Sequence, residues 1–504
     1  MDLSRRLFMA GAGVAATPLP RMAQAAGEKK ILRVAIGGFP PEKGNAYANI
    51  QTPAIILNSG IFDALTKLNK DGSLSPSLAT SWEAVDALTW RFKLRDDISF
   101  SNGNKFDAGA VVHAVEYLVA PGPATEGVRR DMPFLAGAKA IDKHTVEITT
   151  KVPIPYFPRY AAVLLIVEPE QWQKLGATAF SEKPVGTGPF LADSWEPGRI
   201  LFSANRGSWR KPQIDGIEWL LLTDIPSRLQ AYLSDRLDVV YQLPPEDFST
   251  VKDYGGTVVR AGEASAAAVF FNFLNKPESP LADVRVRRAL NMAVDRKSIV
   301  DVLLNGETPL SSQPTTKESF GYDPSIQPYP FDPAAAKKLL VEAGHPNGFG
   351  MTLETATGST NSILIVQRIA DDLARVGVKV EVRQKGVIQF LTDFVRGRFE
   401  ADAFTLQWGS YPTLDSMQMT IMSSCRKTGP WYCNQEIQPV IDAAWIEADP
   451  KKALELRHQV MRFYHDDAPG LFLHENVSFI GLSPRTTGYD SVFGFIPYEN
   501  IRLG

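Results

Sequence analysis

The chain has 504 residues, 44% hydrophobic, 22% charged and 10% aromatic, the make-up of an ordinary globular protein with more than one domain or one large composite domain. Its net charge is −3, with 53 basic and 56 acidic residues scattered along the sequence, which argues against a nucleic-acid or anionic-membrane surface. No apolar run after the N-terminus approaches the roughly 20 residues of a membrane span.

The chain opens with Ser4-Arg5-Arg6-Leu7-Phe8, then a weakly apolar run to Pro20, then Arg21 and the small-residue site Ala23-Gln24-Ala25. This is the three-part pattern of an export leader, and its S-R-R-x-F core resembles a twin-arginine signal. Gly11, Gly13, Pro18 and Pro20 argue against an amphipathic first helix. Residues 1–25 carry Arg5, Arg6, Arg21 and Asp2, so without them 50 basic and 55 acidic residues remain, a net of −5. No cysteine ends the leader. The expected product is soluble, periplasmic and free of a lipid anchor. In that oxidising compartment Cys425 and Cys433 are expected to form a disulfide rather than two free thiols, and with no histidine near them they make a poor metal site.

Residues 31–36 (ILRVAI) read as a strand that exits into Gly37-Gly38-Phe39-Pro40-Pro41, with Asn45 beyond. Glycines at a strand's exit let the backbone approach a ligand, or simply make a tight turn. Leu88, Trp90, Phe92 and Leu94 alternate with polar residues as a half-buried strand. A helix is expected from about Ala108 to Val119, and a strand over residues 145–149. In Pro184-Val185-Gly186-Thr187-Gly188-Pro189-Phe190, Leu191 stands where a dinucleotide loop would carry its third glycine, so this is a chain crossover rather than a phosphate cradle. Residues 217–222, 225–234 and 237–241 form a β-α-β unit. A composition shift near residues 262–268 suggests a boundary. Beyond it Val286, Ala289, Leu290 and Ala293 make a core-facing helix stripe, with Arg285, Arg287 and Arg288 on its solvated face. Asp332-Pro333 starts the next helix, Ile365 to Val376 gives another, and Val378, Val380 and Val382 mark a strand. The fold class is α/β.

Residues 401–434 form the richest stretch for function. An apolar strand (Phe404, Leu406, Trp408) runs into Gly409-Ser410-Tyr411-Pro412-Thr413-Leu414-Asp415, then a methionine-rich helical piece and the cysteine-bracketed loop. Polar groups and flat aromatic faces delivered by a rigid strand suit a small-molecule site. Catalytic patterns are missing: there is no G-x-S-x-G, H-E-x-x-H, P-loop or C-x-x-C, and the six histidines are scattered. No catalytic residue, metal or cofactor is expected.

Several segments in order resemble one family. They include IFDALTKLNKDGSLSPSLATSWE (61–83), WRFKLRDDISFSNGNKFDAGAVV (90–112), PVGTGPF (184–190), SANRGSWRKPQIDGIEW (203–219), SRLQAYLSDRLDVV (227–240), FFNFLNKPESPLADVRVRRALNMAVDR (270–296), FDPAAAKKLLVEAG (331–344), the stretch from Trp408 to Cys425, and WYCN (431–434). The whole mature chain resembles the periplasmic solute-binding proteins of the dipeptide/oligopeptide/nickel class of ABC importers (family 5). The resemblance implies a two-lobe periplasmic-binding-protein fold with an extra domain in the first lobe. Lobe I would comprise residues 28–45, 186–265 and 482–504, the extra domain 46–185 and lobe II 266–481. It implies a monomer that is not an enzyme and that encloses a solute, a peptide or peptide-like one first, for an ABC permease and its ATPase. Trp408 and Tyr411 would form one wall, Ser410 and Asp415 would supply polar contacts, and Gly38, Phe39 and Asn45 would face them from the other lobe. Peptide-binding relatives carry a carboxylate three residues after the tryptophan, for the ligand's α-amino group; here that position is Tyr411, with Asp415 four residues further on as the substitute. The family's arginine for a ligand carboxylate has no counterpart, since residues 352–367 hold no Arg or Lys. An opine- or sugar-type solute stacking on Phe39, Trp408 and Tyr411 is the alternative. A periplasmic enzyme exported already folded is the rival from another class.

Overall fold

A computed structural model describes residues 29–504 except 50, 51, 122–126, 275, 358–362 and 412. The leader expected over residues 1–25 lies outside the described residues.

A ten-stranded mixed sheet runs through the molecule in the order Val378–Lys385, Phe349–Ala356, Ala403–Gly409, Thr257–Phe271, Gly470–Leu482, Val239–Tyr241, Ile31–Ile36, Gly216–Leu221, Arg199–Ala204, Phe190–Glu196. The expected β-α-β unit is present, with Ile31–Ile36 inserted between its two strands and parallel to both. Helices Ala108–Val119, Val284–Ala293, Pro333–Glu342 and Ile363–Ala374 form where the apolar periodicity and caps place them. Asp107, Asp283 and Asp332 each cap a helix N-terminus by accepting from a backbone N–H.

Two strands are much longer than the rest. Thr257–Phe271 and Gly470–Leu482 pair antiparallel along their length, so the same two strands serve both halves of the sheet. At about 3.3 Å per residue the longer spans roughly 50 Å. Their pairing slips twice, between Gly262 and Ala266 and between Ala266 and Ala268. Residues 262–268 thus lie in a bulged crossing strand rather than a linker, and Ala264 takes a left-handed φ of 51°.

Past the bulge, period-2 alternation divides the apolar run. Ala267, Val269 and Phe271 meet the helices Val284–Ala293 and Ile363–Ala374, while Ala266, Ala268 and Phe270 meet Trp408, Trp431 and Tyr464. Both faces are covered, which is why the strand reads as continuous apolar sequence. A four-stranded antiparallel sheet (Ala79–Ala84, Thr89–Leu94, Thr145–Thr150, Leu135–Asp142) shares one core with the first half of the large sheet. The crossover motif packs on Ile61, where a Cβ at Gly186 would fall 2.1 Å from the carbonyl oxygen, so the glycine serves close backbone packing.

One expectation is corrected. Arg287 does not lie on a solvated face: it is 2% exposed, pairs with Asp467 at 2.7 Å and donates to the carbonyls of Leu281 and Ala282. A stripe of apolar residues does not reveal that a helix is covered on a second side.

Candidate ligand-binding site

The strand Ala403–Gly409 lies against the crossing strand Thr257–Phe271, with Trp408 opposite Ala266 and Gly409 opposite Ser265. The chain then turns, and Ser410 anchors the turn. Its N–H and Oγ both donate to the Ala264 carbonyl in the bulge, at 2.9 and 3.0 Å, and its Oγ accepts from Ser319 at 2.6 Å. The loop is thereby stitched to the point where the strands cross.

Trp408 is 1% exposed and packs among Phe270, Trp431, Tyr464 and Phe472, with ring centroids 4.4–6.1 Å away. Cys425 and Cys433 are bonded, and the short loop they close carries Trp431 into the same cluster, stacked on Phe270. Trp408 is therefore mainly a core residue. Its indole Nε1 is nonetheless buried with no protein partner, as are Tyr411 Oη, Thr413 Oγ1, Ser416 Oγ and, from the facing segment, Tyr156 Oη. Buried polar atoms normally find partners. Four such atoms lie within residues 408–416. Burial pushes the Tyr411 phenol well above its ordinary pKa, so it stays neutral.

Asp415 is engaged within the chain. Both its oxygens are held by Arg457, at 2.9 and 2.8 Å, and Oδ1 also caps the short 3-10 helix Ser416–Ile421 through Met417 N–H. Arg457 in turn donates to the carbonyls of Ala444 and Ala453 and lies over the rings of Tyr156 and Phe320. Gly321, with φ at 93°, lets the chain pass: a Cβ there would fall 2.3 Å from Ser416 Oγ. Asp415, expected as a polar contact for a ligand, is instead found in a buried ion pair that holds the loop.

The residues expected from the first half are arranged differently. A side chain at Gly38 would meet nothing within 4 Å, so the Gly38 backbone faces open space. Phe39 is half-buried against the large core, and Asn45 Oδ1 accepts from Tyr47 N–H, which makes a local turn. Among the described residues no hydrogen bond or ion pair joins residues 37–45 to residues 408–416. The loop is met instead by residues 156–160. Arg159 donates to the Thr413 carbonyl at 3.2 Å, Tyr160 to Gln418 Oε1 at 3.3 Å, and Tyr156 packs on Phe320 at 4.6 Å. Sequence reasoning missed these residues, though Pro153-Ile154-Pro155-Tyr156-Phe157-Pro158, dense in proline and aromatics, carried a signal of a presented loop.

Two cavities matter. The larger, about 470 Å³, is lined by Phe62, Asp63, Trp209, Arg210, Phe495 and Glu499 among others, none of them from residues 266–481, so a solute there would not be gripped by both halves. The smaller, about 170 Å³, lies at the strand crossing and draws on both: Arg260, Glu263 and Ala264 from one strand, Glu475 from the other, Thr316 and Glu318 from the second half. It adjoins the Ser410 anchor through Ala264. Among the described residues no group of three or more His, Cys, Asp or Glu is placed to hold a metal ion. No helix among them is long and apolar enough to cross a membrane.

The middle model of the bacterial extracellular solute-binding proteins, family 5, matches residues 73–430, more than half of the chain. The chain belongs to that family. Among the relatives it resembles is the glutathione-binding protein GsiB of Escherichia coli (strain K12), 26% identical over 465 residues, covering 86% of this chain and 88% of GsiB. Two solved structures share its fold. The periplasmic binding protein DppA of Helicobacter pylori, in complex with the peptide STSA, has a TM-score of 0.76 at 22% identity, covering 94% of this chain and 98% of DppA. AgaA of A. tumefaciens R10, in complex with agropinic acid, has a TM-score of 0.75 at 21% identity, covering 94% and 99%. This family 5 protein is thus a two-lobe solute-binding protein, and its matched relatives are binding proteins rather than enzymes.

Proposed function

We propose that the chain is the periplasmic receptor of an ABC importer, that its solute is a peptide or peptide-like molecule, and that it hands that solute to a membrane permease and its ATPase. The observation that carries this reading is the set of buried, unpartnered polar atoms on residues 408–416, a loop bonded by Arg159 and next to a cavity drawn from both halves of the sheet. Names of similar proteins support the solute class: GsiB is glutathione-binding, and DppA is in complex with a tetrapeptide. In this reading lobe I (28–45, 186–265, 482–504) and its extra domain (46–185) close on lobe II (266–481) about the bulges in the crossing strands. Binding shifts the population toward the closed form that a permease recognises. Tyr411, Ser410 and the indole edge of Trp408 form one wall, with Gly38 and Phe39 opposite; the twin-arginine leader delivers the folded monomer.

A thermal-shift screen of the mature chain tests the reading, using free dipeptides and tripeptides, glutathione, N-blocked peptides, opines, oligosaccharides and divalent metals. A solute at one hundred times its dissociation constant adds about 2.7 kcal/mol and should raise the melting temperature by several degrees. Peptides or glutathione should give the largest shift; no shift from any of them refutes the solute assignment. The second reading, an opine- or sugar-type solute, is favoured by Tyr411 standing where a carboxylate is expected and by the agropinic acid complex of AgaA. It predicts that only those panels respond.

A further inference from the structure

The Trp408 loop has no free carboxylate: Tyr411 is a neutral phenol and Asp415 is spent on Arg457. The crossing strands supply one from elsewhere. Ala268 lies opposite Phe472, but Ala266 lies opposite Glu475, so two residues on one strand span three on the other. That is a β-bulge at Leu473 and His474, and bulges re-aim the side chains that follow them. Strict alternation would send Glu475 to the side of Leu471 and Leu473, which belong to the other core. The bulge sets it beside Ala266, on the face that Ala266 shares with Trp408. Glu475 and Trp408 thus stand two strand spacings apart, about 10 Å, with only the Ala266 methyl between them.

Glu475 is also largely buried and sparsely bonded. It is 6% exposed, lines the inter-lobe cavity, and accepts one long hydrogen bond, from Lys317 N–H at 3.3 Å. Glu263 and Glu318 line the same cavity, as do Arg260 and Lys70, the latter paired with Asp490 at 2.7 Å. A carboxylate held in such a place costs stability unless a partner arrives. Burial, with Glu318 beside it, pushes its pKa up to about 7 against the weaker pull of Lys317 and Arg260.

We propose that Glu475, turned into the inter-lobe cavity by the bulge, is the carboxylate that receives a protonated amine of the solute. The inference rests on the solute-binding reading above and names what that site selects: a solute with a free ammonium group.

The test is titration calorimetry of the mature chain and its Glu475→Gln variant with alanyl-phenylalanine, glutathione and the N-acetyl form of each. The wild type should bind the free amines at least about tenfold more tightly than the acetylated forms, the discrimination of one charged hydrogen bond. The variant should lose about that factor for the free amines and little for the acetylated forms. Affinity for a free amine should rise from about pH 5.5 to about pH 8 in the wild type, as Glu475 sheds its proton, and stay flat in the variant. An unchanged melting temperature of the ligand-free variant, or an increase, shows that it folds. Equal binding of free amines by both proteins overturns the assignment of Glu475 while leaving a peptide receptor standing. If no free or acetylated probe binds the wild type, the peptide reading falls and this inference with it.

Discussion

Asp415 shows how a residue's chemistry is decided by what it meets. Its carboxylate and the Arg457 guanidinium are both buried, and they satisfy one another through two short hydrogen bonds. Removing one partner leaves the other charge stranded, so Asp415→Ala should cost about 3–5 kcal/mol in urea unfolding. A variant that unfolds like the wild type would show that the pair is not formed. Glu475 behaves in the opposite sense. Its pKa is about 7 folded against an ordinary 4.5, so the folded protein binds more protons than the unfolded one between those values. Stability of the ligand-free protein should therefore fall as pH rises through that window, by at most about 3 kcal/mol, and Glu475→Gln should flatten the slope. Melting curves at steps across this range check it. Neither role was legible in the sequence. Asp415 and Arg457 are 42 positions apart, and Glu475 is aimed by a bulge that period-2 reading cannot see. The strand Ala403–Gly409 and the turn after it were legible, because an apolar run there gives way to turn-forming residues.

Among the elements, the ones with a clean period were read closely. Helix Ala108–Val119 and strand Thr89–Leu94 formed within a residue or so of where the pattern put them, and strand Val378–Lys385 starts at the expected Val378 and runs on past the alternating valines. What the pattern hid was pairing. Residues 262–268 read as a change of composition, and the structure makes them the bulged middle of a strand whose partner lies more than 200 residues away. The disulfide loop is the element whose contribution is simplest to measure. Closing eight residues should contribute about 2.5 kcal/mol on the chain-entropy model. Cys425→Ser with Cys433→Ser should lower the denaturation midpoint accordingly and disturb tryptophan fluorescence, because Trp431 packs on Phe270 beside Trp408. An unchanged spectrum and midpoint would mean that the aromatic cluster holds the loop without the bond.

At the scale of the whole molecule, two long strands join the halves of the sheet, bulged where they cross, and side chains from residues 156–160 already reach the Trp408 loop. Two apolar clusters belong to the second half, and a smaller one joins Leu414 to Leu68 and Ala162 across the crossing. The family was recognisable from ordered segments along the chain, and the fold followed from it; the solute was not, because it is chosen by a few atoms lining a cavity rather than by any repeated pattern. In the proposed function the two lobes close on a solute. Small-angle X-ray scattering of the mature chain, alone and saturated with the solute that stabilises it most, tests this directly. The radius of gyration should fall with solute and recover when the solute is dialysed away. An identical scattering curve at saturation would contradict it.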